Sequence, residues 1–130
     1  MIFYDTNFLV SYYIETENHH ERALEIDKDI KNKKKIISTL AIAETINLLT
    51  NKLKLDKEMI KAVYNELNEN YTILEDHKFY NETVENITSN EKRMPFFDYS
   101  YVTLMQELGI EEIATFDKHF DNIAGIVRIY

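Results

Sequence analysis

Short apolar runs rich in β-branched and aromatic residues alternate along the chain with longer stretches of helical periodicity. The runs are IFY at 2–4, IIS at 36–38, YTIL at 71–74, EIATF at 112–116 and IVRIY at 126–130, and they predict short strands. Between them the pattern predicts helices over 8–16, 19–34, 40–54, 57–70, 77–90 and 96–108. Met59, Val63 and Leu67 form one apolar stripe, and Tyr80, Val84 and Ile87 another, at spacings of three and four residues. Asp56 and Asp76 stand at N-cap positions, Pro95 near a helix start and Gly109 just past a helix end. Strands that alternate with helices predict an α/β chain with parallel strands.

Length and composition set bounds on this pattern. With 130 residues and 45% hydrophobic content, the chain is long enough for one core, and residues 1–130 are read as a single domain. The absence of cysteine removes disulfides, thiolate zinc sites and thiol nucleophiles, and fits a reducing, cytoplasmic setting. No signal peptide or membrane span is expected, since no run of eighteen apolar residues occurs. Two glycines, Gly109 and Gly125, and the single Pro95 cannot build a dinucleotide fingerprint or a phosphate-cradling loop. There is no G-x-S-x-G elbow, and HHERAL at 19–24 lacks the second histidine of a zinc helix. A formal charge of −8 argues against gripping nucleic acid by broad electrostatics, though it leaves a local site open. The one biased segment, KNKKK at 31–35, reads as a solvated helix end.

Several acids are less easily assigned to the surface. Asp5 directly follows IFY, and ligands of open parallel sheets sit outside the carboxyl ends of strands; equally, Asp-Thr-Asn can simply cap the next helix. In LAIAETINLLTNKL, Ile42, Ile46, Leu49 and Leu53 form one stripe. Ala41, Leu48 and Leu55 form a second on nearly the opposite side, and Glu44 falls within it. A carboxylate there needs a partner, and a cation is expected to face it, unless its head reaches water from the rim. Asp98 lies in the first turn of a helix with Tyr101, Val102 and Met105 on its face, where an acid is also favoured by the helix dipole alone. EIATFDKHFD repeats the opening device, with Asp117 after a strand and Asp121 four residues on; both also suit turns. The four histidines receive no metal role, and His119 stands out only because Asp117 and Asp121 flank it.

Taken together, DTN at 5–7, Glu44 in its helix, PFFDYS around Asp98 and TFDKHF around Asp117 resemble the acidic signature of the PIN-domain nucleases, the toxin-type (VapC-like) members above all. The resemblance spans the chain and lies in the ordered set rather than in any one motif. It implies a three-layer α/β/α sandwich around a mainly parallel sheet. It implies an acidic metal site on Asp5, Glu44, Asp98 and Asp117, with Asp121 as an auxiliary ligand and Asn7 or Thr115 as supporting groups. Where the family commonly has small residues after the third acid, Tyr99 and Tyr101 flank Ser100.

Hard divalent cations need several oxygen ligands that converge from separate segments, and Mg2+ or Mn2+ suits a shell of carboxylates and water. The resemblance further implies hydrolysis of RNA, an antitoxin partner and a homodimer. Lys92, Arg93 and Lys118 neighbour the acids in sequence and are candidates for substrate phosphates, although such lysines and arginines are often merely solvated. A receiver-type phosphotransfer domain would need an acidic pair after the first strand, and a D-x-D phosphatase an acid where Asn7 stands. The alternative kept open is a catalytically inactive PIN-fold interaction or scaffold domain in an RNA-processing assembly.

Overall fold

The computed structural model describes residues 1–130. Five strands, β1 (Ile2–Tyr4), β2 (Lys35–Ser38), β3 (Thr72–Leu74), β4 (Glu112–Ala114) and β5 (Val127–Ile129), form one sheet in the order β3-β2-β1-β4-β5. Every neighbouring pair is parallel, with Phe3 opposite both Ile36 and Ile113. The helices are α1 (Thr6–Tyr13), α2 (His20–Asp29), α3 (Thr39–Asn47), α4 (Lys57–Asn70), α5 (Tyr80–Ser89) and α6 (Phe96–Leu108).

Two apolar cores make the three layers. Ile2, Tyr4, Ile37 and Ala114 point to one face, where they meet Phe8 and Leu9 of α1, Ala23 and Ile26 of α2, and Val63 and Leu67 of α4. Phe3, Ile36 and Ile113 point to the other, against Tyr101, Val102, Leu104 and Met105 of α6. The central strand β1, covered on both faces, is apolar at every position, as buried parallel strands favour, and IFY is wholly buried. No helix is long and apolar enough to cross a membrane.

Helices over 57–70 and 96–108 form as their periodicity predicts, and Asp56 caps α4 by accepting from the Met59 N–H at 2.8 Å. Gly109 closes α6 at φ 69°, a left-handed conformation that favours glycine. Other elements are shorter than the pattern predicts. The second helix ends at Asp29, so Lys31–Lys34 occupy a turn rather than a helix end. There Lys33 pairs with Glu112, while Lys35, on β2, pairs with Asp27. In α5 the inward positions are Tyr80, Thr83 and Ile87, whereas Val84 is half exposed.

The third helix departs most from expectation. Regular α-helix stops at Asn47 and a π-helical turn runs over Leu48–Lys52. The innermost positions are Ala41, Thr45 and Leu49, while Leu48 and Leu55 pack on the same core as Ile42 and Ile46, and the wider turn resets the facing of the residues after it, Leu55 among them. The expected second stripe therefore does not exist as such.

Asp76 is also redirected. It opens a 3-10 turn (Asp76–Phe79) ahead of α5, but its carboxylate, 1% exposed, accepts from the Leu40 N–H at 2.8 Å and the Thr39 hydroxyl at 3.1 Å. It thus caps α3 from another segment, with the Ser100 hydroxyl of α6 at 3.4 Å. Replacing it by alanine strands a buried N–H, and hydrogen bonds to charged groups contribute about 1.5–3 kcal/mol. Asp76→Ala is expected to lose stability of that order in urea denaturation, and Asp76→Asn, which keeps an acceptor, less.

Candidate active site

The strand order reverses at β1: the chain moves outward through β2 and β3, then returns to place β4 on the other side. The segments leaving β1 and β4 go to opposite faces, α1 to one core and Phe120 to the other. A crevice forms between two such strand ends in a doubly wound sheet. Asp5 follows β1 and Thr115 follows β4, one from each wall.

A hydroxyl joins these walls. Thr115 Oγ1 donates to Asp5 Oδ2 at 2.7 Å and lies 3.2 Å from Asn7 Oδ1, and it accepts from the Asp117 N–H at 3.1 Å. Asn7 Oδ1 also accepts from the Phe116 N–H at 3.2 Å. Asp5, 2% exposed, takes a further bond from the Thr6 N–H at 2.8 Å. Asp5 and Asp117 are thus set by one threonine.

Glu44 comes from α3 and Asp98 from the first turn of α6. No cation faces Glu44. Its Oε1 accepts from the hydroxyls of Thr6 at 2.5 Å and Tyr101 at 2.9 Å, since Tyr101 lies fully buried beneath it. Two hydroxyls orient a carboxylate without supplying a counter-charge. Of the tyrosines around Ser100, Tyr101 turns inward to Glu44, and the Tyr99 hydroxyl donates to the Lys92 carbonyl.

The four acids influence one another. Burial, then the charge of Asp98, pushes the Asp5 carboxyl up to about 8, with a smaller contribution from Glu44. Burial, then Glu44 and Asp117, pushes Asp98 up to about 7. No lysine or arginine is ion-paired with any of the four. Carboxylates gathered out of water without a counter-charge stay partly protonated or bind a cation.

His119 is the member that the sequence did not assign. Its Nε2 lies 2.7 Å from Asp98 Oδ2 and 3.7 Å from Asp117 Oδ2, yet it is buried and in no hydrogen-bonding geometry. Ligand atoms of Asp98, Asp117 and His119 all fall within 4.8 Å of one another. Convergent oxygens, an imidazole nitrogen without a hydrogen bond and the lack of a cation fit a hard or borderline divalent ion. Only the position of His119, two residues after Asp117 at a strand end, signalled this in sequence.

Asp121 is placed elsewhere. The 3-10 turn Lys118–Phe120 separates it from Asp117, and Arg128 binds it through Nε at 2.8 Å and Nη2 at 3.1 Å, which holds the Asp121 carboxyl below its ordinary range. Its carboxylate is thereby committed to β5. Lys92 is likewise engaged, donating to the carbonyls of His119 and, at 3.2 Å, Asp121. Arg93 lies with Lys92 on a cavity of about 560 Å³ that also involves Ile87, Met94 and Tyr99; Lys118 is exposed.

The raised acids give a signed pH effect on the ion-free protein. Asp5 and Asp98 hold protons more tightly folded than unfolded, so stability falls as pH rises from about 4, the ordinary aspartate value, towards 8. In chelator, the melting temperature is expected to drop between pH 5 and pH 8.5, and Asp98→Asn is expected to drop less and to melt above wild type at pH 8.5. Thermal melts of both proteins at the two pH values measure this. A variant that melts lower at pH 8.5 would mean that Asp98 serves only its helix.

Comparison with known proteins bears on the fold and the family. Three solved structures share the fold over nearly the whole chain. VapC20 of Mycobacterium tuberculosis, a sarcin-ricin loop cleaving toxin, superposes with a TM-score of 0.83 at 20% identity, covering 98% of this chain and 97% of that one. VapBC2 of Rickettsia felis, bound to a DNA fragment from its promoter, gives 0.69 at 18% identity, covering 99% and 98%. FitAcB of Neisseria gonorrhoeae gives 0.69 at 16% identity, covering 100% and 97%. Among curated proteins none matches. The PIN-domain family model matches residues 2–126, and with its five-stranded parallel sheet and acidic crevice the chain belongs to the PIN-domain family.

Proposed function

We propose that residues 1–130 form a single PIN-like domain, a divalent-metal-dependent ribonuclease that hydrolyses RNA phosphodiester bonds as the toxin of a toxin–antitoxin pair. The observation that carries this reading is the set of carboxylates at the sheet's switch point, of which Asp5 and Asp98 are buried, with no lysine or arginine paired to any of them. Family membership supports nuclease chemistry, and the fold shared with VapC20, itself a toxin that cleaves the sarcin-ricin loop, supports RNA as the substrate. An antitoxin partner, a homodimer and a cytoplasmic setting belong to the same reading.

In this mechanism Asp5, Glu44, Asp98 and Asp117 would hold Mg2+ or Mn2+, with His119 beside Asp98 and Asp117. A bound ion of this kind supplies a water of lowered pKa and neutralises charge on the phosphodiester. Thr115 fixes the rotamer of Asp5 and the backbone of Asp117, while Thr6 and Tyr101 fix Glu44, so the acids are oriented before substrate arrives. Lys118 and Arg93 are the cations left to meet substrate phosphates; Lys92 contributes by holding the turn that carries His119.

Cleavage of structured and single-stranded RNA is expected with Mn2+ or Mg2+ and not with chelator. Asp5→Asn and Asp98→Asn are expected to abolish it with unchanged circular dichroism. Wild-type rates in those variants would refute the metal-site reading.

The two late acids should separate. Asp117 follows a strand and shares Thr115 with Asp5, whereas Asp121 is held by Arg128. Asp117→Asn is expected to lose most activity across a manganese titration. Asp121→Asn should lose less, through a loosened turn, and equal rates for Asp117→Asn and wild type would remove Asp117 from the site.

A further inference from the structure

Beside the acidic crevice lies a cavity of about 350 Å³ whose lining includes Asn7, Glu17, His19, Lys52, Leu53 and Phe116. Two of these also belong to the surroundings of the acids. Phe116 stands between Thr115 and Asp117, and its N–H is held by Asn7. The wall of this cavity is therefore positioned by the same contacts that position Asp5 and Asp117.

The aromatic rings here form a column. Phe8, fully buried, stacks on Phe116 with centroids 5.6 Å apart and planes at 21°. Phe116 in turn stacks on His19 at 4.3 Å and 15°. The column begins in the core and ends on an exposed imidazole. His19 occupies the N-cap position of α2 but makes no side-chain capping bond, so stacking is what orients its ring. Its neighbour His20 anchors the segment, with Nδ1 2.8 Å from the Ser11 carbonyl oxygen. A flat, anchored ring at the surface can extend its stack by one more flat ring.

The rim supplies groups for the edge of such a ring. Glu17 offers an acceptor and Lys52 a donor, while Leu53 adds apolar wall. Stacking on aromatic side chains with hydrogen bonds to an exposed base edge is how proteins read unpaired RNA bases. We propose that this cavity binds one unpaired nucleobase of the RNA, next to the phosphate that is cut, with His19 as the stacking residue and Glu17 and Lys52 meeting the base edge. The inference rests on the ribonuclease reading and adds to it a place where the substrate is recognised.

The test uses an RNA oligonucleotide that the wild-type protein cleaves, together with a series in which each nucleotide near the cut is made abasic in turn. Affinities are read by fluorescence anisotropy in the Asp98→Asn background, which leaves the RNA intact, and cleavage is read separately in the wild-type background. One abasic position is expected to weaken binding by about tenfold, the scale of one base stacked on an aromatic ring. His19→Ala should cause a similar loss on the intact RNA and no further loss on that abasic RNA, while His19→Phe should restore affinity.

Equal affinities for His19→Ala and wild type would overturn the inference, as would a loss that is the same on intact and abasic RNA. Loss of binding to a partner protein with RNA affinity intact would assign the cavity to a polypeptide and overturn it as well. If the wild-type protein cleaves RNA while the His19 series is flat, only the base pocket falls. If it cleaves no RNA, the ribonuclease reading falls and the pocket with it.

Discussion

One hydrogen-bonded threonine joins the two halves of the crevice. Thr115 and Asp5 are 110 residues apart in sequence, yet the 2.7 Å bond between them spans the ends of adjacent parallel strands. The same hydroxyl takes the Asp117 N–H, so the positions of two acids depend on one side chain. That bond is possible only because β4 lies directly beside β1, with Tyr4 opposite Ala114. The sheet order is thus more than an architectural label; it fixes which carboxylates meet.

Gathering acids in this way opposes the stability of the fold. Each buried carboxylate loses hydration, and its neighbours add like charge, which is why the Asp5 and Asp98 carboxyls are driven upward. The surrounding structure answers with hydroxyl and amide donors and with the His119 imidazole, but with no lysine or arginine. Donors of this kind hold geometry while leaving negative potential in the crevice. A lysine in the same place would relieve the repulsion but would also occupy the space that a cation needs. The cost is borne by two dense apolar cores, one on each face of the sheet.

Beyond the acids, several charged side chains take on holding roles. Lys92 grips the carbonyls of His119 and Asp121, and Arg128 grips the Asp121 carboxylate while its guanidinium lies over the Tyr130 ring at 3.6 Å. Together they fix the turn after β4, and with it His119. Asp76 does the same for α3, which carries Glu44, and reaches Ser100 on the helix that carries Asp98. With Thr115 holding Asp5, all four acids therefore sit on segments that are pinned by polar contacts from elsewhere in the chain.

Local pattern by itself determined much of the fold. Strand runs at IFY and IIS, the full lengths of α4 and α6, and the positions of Asp56, Pro95 and Gly109 are set by periodicity and capping, which act over a few residues. Asp5 and Asp117 at strand ends and Asp98 in a first turn were legible for the same reason. The partners were decided only by the tertiary structure. Glu44 meets Thr6 and Tyr101 rather than a cation, Asp76 caps a helix other than its own, Asp121 is taken by Arg128, and His119 joins Asp98. The π-helical turn after Asn47 resets the facing of Leu55, which ideal helical spacing had placed on the opposite side. Each of these depends on side chains brought together across tens of residues by the packing of sheet and helices, and a one-dimensional pattern carries no information about which of several chemically suitable partners the fold will bring within reach.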